Sequence, residues 1–189
     1  EFGGKTYAVV AAQDNNGISV IDISTPSSMA YKGDITDDGT RELKGAQSVA
    51  IATIGGTTYA VVASYTDNGI AIIDISTPSS PTYVSEIEDD ADKELEFGRG
   101  IEVATINSRT YAFVAVYGGK IIDPHEDDGL AVIDITDPTN PSYVNEMEDD
   151  ADKVLDGAKG VVITTIDGVT YAVVTSYDDD GIEIIRILG

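Results

Sequence analysis

The chain's 189 residues are 42% hydrophobic with a mean hydropathy of −0.03, enough for one domain with a real core. Its 34 acidic against 11 basic residues give a net charge of −23, which repels phosphate backbones and anionic headgroups and sets nucleic acid and membrane surfaces aside as partners. No cysteine is present, so disulfides and thiol-bound metals do not enter, and no apolar run of about 18 residues offers a membrane span.

Residues 1–6 (EFGGKT) align with 53–58 (TIGGTT) and 105–110 (TINSRT), so the sequence opens at the tail of a strand whose body is missing. They do not read as a secretory leader, which a mature or excised chain would have lost. Residues 7–12 form an apolar run without polar alternation, as expected of a strand covered on both faces. Asn15-Asn16-Gly17 then predicts a tight hairpin, because Asn-Gly and Asp-Gly steps supply the positive φ such turns need. A β-branched strand over 18–24 follows, interrupted by Asp22, and the proline-serine stretch STPSSM ends it. A third strand over 31–35 leads into the acidic connection DITDDGTREL and a fourth strand over 48–54.

This pattern recurs. The tyrosines opening each copy are Tyr7, Tyr59, Tyr111 and Tyr171, spaced 52, 52 and 60, and the turn glycines Gly17, Gly69, Gly129 and Gly181 are spaced 52, 60 and 52. The two series agree if one copy carries eight extra residues near Gly118–His125. All ten tyrosines fall on three repeat positions, as aromatics do when they pack one sheet on the next. Four short antiparallel strands per copy, at a period near 50 residues and with no helical periodicity, describe blades of a β-propeller. The fold expected is all-β: β-propeller-type tandem four-stranded antiparallel blades in a single domain over 1–189. Lettering the 48–54 strand a, the chain reads b-c-d, a-b-c-d, a-b-c-d, a-b-c, about three and a half blades. Either the chain is part of a longer array, or it forms a ring with thin blades, or neighbouring chains complete it; a piece of a longer repeat protein is the reading favoured.

The segments GIAIIDISTPSSPTYVSEI and GLAVIDITDPTNPSYVNEM, with LKGAQSV and LDGAKGV upstream of the YAVV strands, resemble the LVIVD-repeat family of β-propeller-type repeats across essentially the whole chain. Arg186, where the other copies have Asp22, Asp74 and Asp134, departs from the pattern, as does the eight-residue insertion. The resemblance implies a secreted or cell-surface protein; spacing and composition do not show it.

Three places hold candidate chemistry. The acidic connections carry Asp37, Asp38, Asp89, Asp90, Asp92, Asp149, Asp150 and Asp152, a density that suits calcium, which takes six to eight oxygens, although the same residues also make a plain solvated loop. Asp178 and Asp180 in the last hairpin extend that calcium set, though turn chemistry alone explains Asp-Gly there. Gln47, Arg99 and Lys159 share one repeat position at the start of strand a, the innermost strand, where they would ring the channel mouth and hold an anionic ligand, or pair with the acidic connections. The single His125 sits in the insertion beside Asp123, Glu126 and Asp127, a mixed metal set at most. No nucleophile–histidine pairing or phosphate-binding glycine loop is recognisable, and carboxylates are too numerous for one glycosidase-type pair to stand out. The expectation is therefore a non-catalytic extracellular binding or display module with a protein partner or self-association, stabilised by calcium where the acidic loops hold it. The alternatives are a self-assembling subunit completed by strand pairing between chains and, third, an enzyme working at the channel mouth.

Overall fold

The computed structural model describes residues 4–90, 95–118, 128–150 and 152–187. Among them there is no helix, so none long and apolar enough to cross a membrane. The described residues form fourteen strands in four antiparallel sheets. Blade 1 is β1 (Tyr7–Ala12), β2 (Gly17–Asp22) and β3 (Ala30–Thr36). Blade 2 is β4 (Ala46–Ile54), β5 (Thr57–Ser64), β6 (Gly69–Asp74) and β7 (Thr82–Glu88). Blade 3 is β8 (Gly98–Ile106), β9 (Arg109–Val116), β10 (Gly129–Asp134) and β11 (Ser142–Glu148). Blade 4 is β12 (Ala158–Ile166), β13 (Val169–Ser176) and β14 (Gly181–Ile187). The end blades have three strands and the middle ones four, as the strand lettering expects.

Local chemistry sets these elements. Two-residue turns join the first two strands of blades 2, 3 and 4, at Gly55-Gly56, Asn107-Ser108 and Asp167-Gly168, with φ between 50° and 85° at every central residue. Positive φ at both positions is the turn whose twist matches a hairpin. The following hairpins place Asn16, Asn68 and Asp180 at φ 53°, 57° and 51°. The aspartate ending the third strand type caps the proline loop: the Asp22, Asp74 and Asp134 carboxylates accept from the backbone N–H of Ser24, Ser76 and Thr136 at 2.8–3.1 Å. The hydroxyl of that same Ser or Thr accepts from the N–H of Thr6, Thr58 or Thr110, tying the loop to the adjacent strand.

Blades stack face to face, β1 on β4, β4 on β8 and β8 on β12, with three cores between them. Ile18 and Val20 of blade 1 meet Val62 and Ile73 of blade 2. Ile70 and Ile72 meet Val114 and Ile133 of blade 3, and Phe113 and Leu130 meet Ala172 and Val174 of blade 4. Each such fully buried large side chain contributes roughly 1.5–3 kcal/mol before entropy is counted. Leu43, Leu95 and Leu155, one per connection, are buried plugs between successive blades.

Each connection is held from the blade it leaves. The side-chain oxygens of Asn16, Asn68 and Asp128 accept from the N–H of Gly45, Phe97 and Gly157 at 2.9, 3.2 and 3.1 Å. The backbone carbonyls of the same three residues accept from the N–H of Asp37, Asp89 and Asp149. Asn16 and Asn68 therefore serve two purposes, forming the turn and stapling the next blade, and Asp128 staples blade 4 in the same way.

Candidate ligand site at the inner rim

The residues that the sequence places in a channel-mouth ring come together at a shared irregularity. The strand pairing slips between Ala46 and Ser48, between Gly98 and Gly100, and between Ala158 and Gly160. The bulged residues are Gln47, Arg99 and Lys159. A bulge leaves its extra residue out of the ladder and re-aims its side chain, which is how three long polar side chains stand at the start of the inner strands.

What the two cations meet is the tyrosine just beyond the next strand. The Arg99 guanidinium carbon lies 4.3 Å from the ring centre of Tyr65 and 4.9 Å from that of Tyr117. Lys159 Nζ lies 5.6 Å from the centre of Tyr117 and 3.4 Å from that of Tyr177. Rings and cations thus alternate along the rim as Tyr65, Arg99, Tyr117, Lys159 and Tyr177, each contact within cation–π range. Phe97 backs the ladder, its ring 4.8 Å from that of Tyr65. Among the described residues neither Arg99 nor Lys159 makes an ion pair or a hydrogen bond, and Arg99 Nε and Gln47 Oε1 are buried without a hydrogen-bond partner. Pairing with the acidic connections, the plainer role open to these cations, is therefore not what this geometry shows. Sequence alone reads the tyrosines as core packing; their coincidence in period with the basic residues is the signal that joins the two.

The acidic connections are occupied with their own folding. Asp37 accepts from the N–H of Gly39 at 2.9 Å, and Asp38 accepts from the N–H and hydroxyl of Thr40 while pairing with Arg41 at 3.0 Å. These contacts hold the Asp38 carboxyl below its ordinary pKa, the Thr40 hydroxyl bond being the largest cause. Asp89 and Asp149 accept from the N–H of Leu95 and Leu155 at 2.9 and 3.0 Å. Asp150 accepts from the N–H of Asp152 and pairs with Lys153, which holds its carboxyl low. Asp90, Asp152, Asp178 and Asp180 are exposed, and Asp92 lies outside the described residues, as do Asp123, His125, Glu126 and Asp127. Among the described residues no three acidic or histidine side chains converge as a metal-sized group.

One carboxyl in these loops behaves differently. Glu42 is driven up to about 8, first by burial and then by the charges of Asp67, Glu88, Glu86 and Asp37. Its Oε2 is buried with no hydrogen-bond partner among the described residues.

Solved structures share the architecture. An exo-beta-1,3-galactanase from Phanerochaete chrysosporium, solved with beta-1,3-galactotriose, superposes over 94% of this chain with a TM-score of 0.61 at 10% identity. A thermostable family-43 glycoside hydrolase superposes over the full chain with a TM-score of 0.61 at 13% identity. The C-terminal domain of Pseudomonas aeruginosa PilY1 superposes over 89% of it with a TM-score of 0.58 at 16% identity. The chain spans 42% of the galactanase, 70% of the thermostable hydrolase and 36% of the PilY1 domain. Identities this low show the fold alone. The likeness nevertheless corrects the expectation of a non-catalytic module, for the shared architecture is found in glycoside hydrolases, and absence of a nucleophile–histidine pairing in the sequence was no ground for excluding an enzyme. No curated protein matches the sequence. The LVIVD repeat model matches residues 5–37, 46–89 and 108–149, well over half the chain, and the chain thus belongs to the LVIVD-repeat family.

Proposed function

We propose that this propeller repeat module works outside the cell or at its surface and binds an anionic sugar at the inner rim, between Arg99, Lys159 and the tyrosines that flank them. One observation carries the reading. In a chain with 34 acidic residues, two cations stand side by side with aromatic rings and no carboxylate partner among the described residues. A carboxylate would meet Arg99 and Lys159, while a sugar ring would stack on an exposed tyrosine face such as Tyr177. The galactanase was solved with an oligosaccharide, so in that protein the fold takes a sugar chain. The surplus negative charge favours a small anion over a polyanion, because long-range repulsion opposes the approach of the latter. The same charge keeps the protein dispersed in a salty external medium.

The test is a titration with D-glucuronate against D-glucose, read by NMR shifts of the tyrosine rings and by melting temperature. Glucuronate should shift Tyr117 and Tyr177 saturably and raise the melting temperature, since a native-state ligand stabilises by mass action. Glucose should bind more weakly, and an Arg99→Met/Lys159→Met double variant should lose the discrimination. Equal response to both sugars, or none to either, overturns the assignment.

A further inference from the structure

The residue after each bulge is Ser48, Gly100 or Gly160, paired with Ala63, Ala115 and Thr175 on the adjoining strand. Gly100 is buried, and its φ lies outside the left-handed region, so its backbone does not demand glycine. The neighbouring blade does. A Cβ on Gly100 would lie 2.6 Å from the Lys159 carbonyl oxygen, 3.0 Å from Gly160 Cα and 3.3 Å from the Lys159 carbonyl carbon. All three are backbone atoms of blade 4, so no change of rotamer relieves the contact. Non-bonded atoms settle at about 3.5 Å, so a side chain here would push β12 back by roughly half an ångström or more. Lys159 Nζ is 5.6 Å from the centre of the Tyr117 ring, and cation–π attraction reaches to about 6 Å. A retreat of that size takes the ammonium out of range of Tyr117. Its 3.4 Å contact with Tyr177 stays, because both residues belong to blade 4.

The junction of blades 2 and 3 is built differently. Ser48 carries the Cβ that so close an approach excludes, and the cation reaching back across that junction is an arginine. Its guanidinium carbon lies 4.3 Å from the centre of Tyr65. The longer side chain spans the junction with serine, and the shorter one stands where glycine narrows it.

We propose that Gly100 is a positioning residue for the rim site: by letting β12 close on β8 it brings the Lys159 ammonium to the ring that Arg99 also holds, and so makes the junction of blades 3 and 4 a two-cation seat for a carboxylate-bearing sugar. This rests on the binding reading above. Gly100 itself touches no ligand and acts through Lys159.

Nuclear Overhauser contacts of the Lys159 side chain, read without ligand, and a D-glucuronate titration of the 189-residue chain test this. In the unaltered chain the Lys159 methylenes should show contacts to both Tyr117 and Tyr177. Gly100→Ser should abolish the first, keep the second and weaken glucuronate about tenfold, with the response to D-glucose unchanged. Gly160→Ala is the control, since a Cβ there would meet only the Thr175 hydroxyl of its own blade, at 2.9 Å, and it should change neither readout. Gly100→Ser with Lys159→Arg copies the pairing of blades 2 and 3 and should restore glucuronate binding, which a general loosening of the fold would not allow. Where Gly100→Ser fails to fold, the other junction gives the answer by removing atoms. There Arg99→Lys should lose its contact with Tyr65, and Arg99→Lys with Ser48→Gly should regain it. Contacts to Tyr117 that survive Gly100→Ser, a glucuronate affinity indifferent to their loss, or failure of either double variant to restore would each overturn the proposal. Silence of the unaltered chain toward glucuronate would sink the rim reading and the seat with it, an outcome told apart because the Lys159 contacts are still read.

Discussion

Glu42 offers the sharpest test of how the blades are held. It sits in the connection before β4, and its counterpart before β12 is Val154. A Cβ placed on Gly69 would lie 3.0 Å from Glu42 Oε2, and one on Gly181 would lie 2.4 Å from Val154 Cγ1, so both side chains press on the same hairpin glycine. A valine suits that place and a carboxylate does not. Burial and the four surrounding acids raise the Glu42 pKa to about 8, against an unfolded value near 4.5. Every tenfold change in proton affinity is worth about 1.4 kcal/mol, which sets a ceiling of roughly 5 kcal/mol; solvent around the partly exposed carboxyl screens this to about 1–2 kcal/mol.

The sign follows from linkage. A carboxyl whose folded pKa is raised leaves the fold undisturbed below pH 4.5 and weakens it progressively as pH rises toward 8. Glu42→Gln should therefore raise the melting temperature at pH 8 by about 2–8 °C and change it little at pH 4.5. Glu42→Val should gain at both, because it also removes a buried oxygen that lacks a partner. Calorimetry of the three proteins across this range reads the result directly. A Gln variant whose gain is the same at pH 4.5 and pH 8 would refute the reasoning, since titration of Glu42 would then contribute nothing.

The opposite limb belongs to Asp134, whose carboxyl is held low by hydrogen bonds from Thr136 and Arg109 against the opposing effect of burial, the largest single influence on it. Its stabilisation is present above the ordinary aspartate range and lost as pH falls through its folded pKa, so Asp134→Asn should blunt acid unfolding below about pH 4, measured by circular dichroism. Asn68→Ala removes the acceptor for Phe97 N–H and should lower stability by about 1–2 kcal/mol in urea unfolding, with the slope unchanged. Leu95→Ala should cost about 2–5 kcal/mol by the same assay, being a buried plug between blades 2 and 3. Gly118→Thr should destabilise the native chain yet be tolerated when Phe97→Gly accompanies it, a double-mutant cycle with a coupling of about 1–3 kcal/mol.

Much of the fold could be read because the repeat repeats its own physics. Four copies of one hairpin and one apolar strand pair, and three of one aspartate-capped proline loop, leave little freedom in how strands are ordered, and the strand lettering and the sheets agree. The short turns between the first and second strands were the less legible part. Gly55-Gly56 and Asp167-Gly168 announce a hairpin, but Asn107-Ser108 does the same work at φ 50° and 65° without a glycine, as only the aligned copies reveal. The acidic connections were legible only as composition. Their aspartates suggest a metal, while Asp37, Asp38, Asp89 and Asp149 bond the loop's own N–H groups, a local use that composition alone cannot distinguish from coordination.

The rim was half legible for a reason that lies in backbone register. Sequence aligned Gln47, Arg99 and Lys159 correctly but could not show the bulges that lift them from the ladder toward Tyr65, Tyr117 and Tyr177. The position two residues earlier shows how closely that rim is fitted. Gly45 and Gly157 adopt φ 73° and 71°, and a Cβ on either would come within 2.6 Å of Thr66 or Asp178. Blade 3 has Phe97 there instead, at φ 53°, and the residue aligned with Thr66 and Asp178 is Gly118. The glycine has moved to the other side of the contact, admitting a left-handed phenylalanine at a backbone cost of about 1–2 kcal/mol. What that strain supports is the stack of Phe97 on Tyr65, and through Tyr65 the placement of Arg99. The exception falls on the blade that carries the guanidinium, where Arg99 lies between the rings of Tyr65 and Tyr117 and Phe97 backs the first of them.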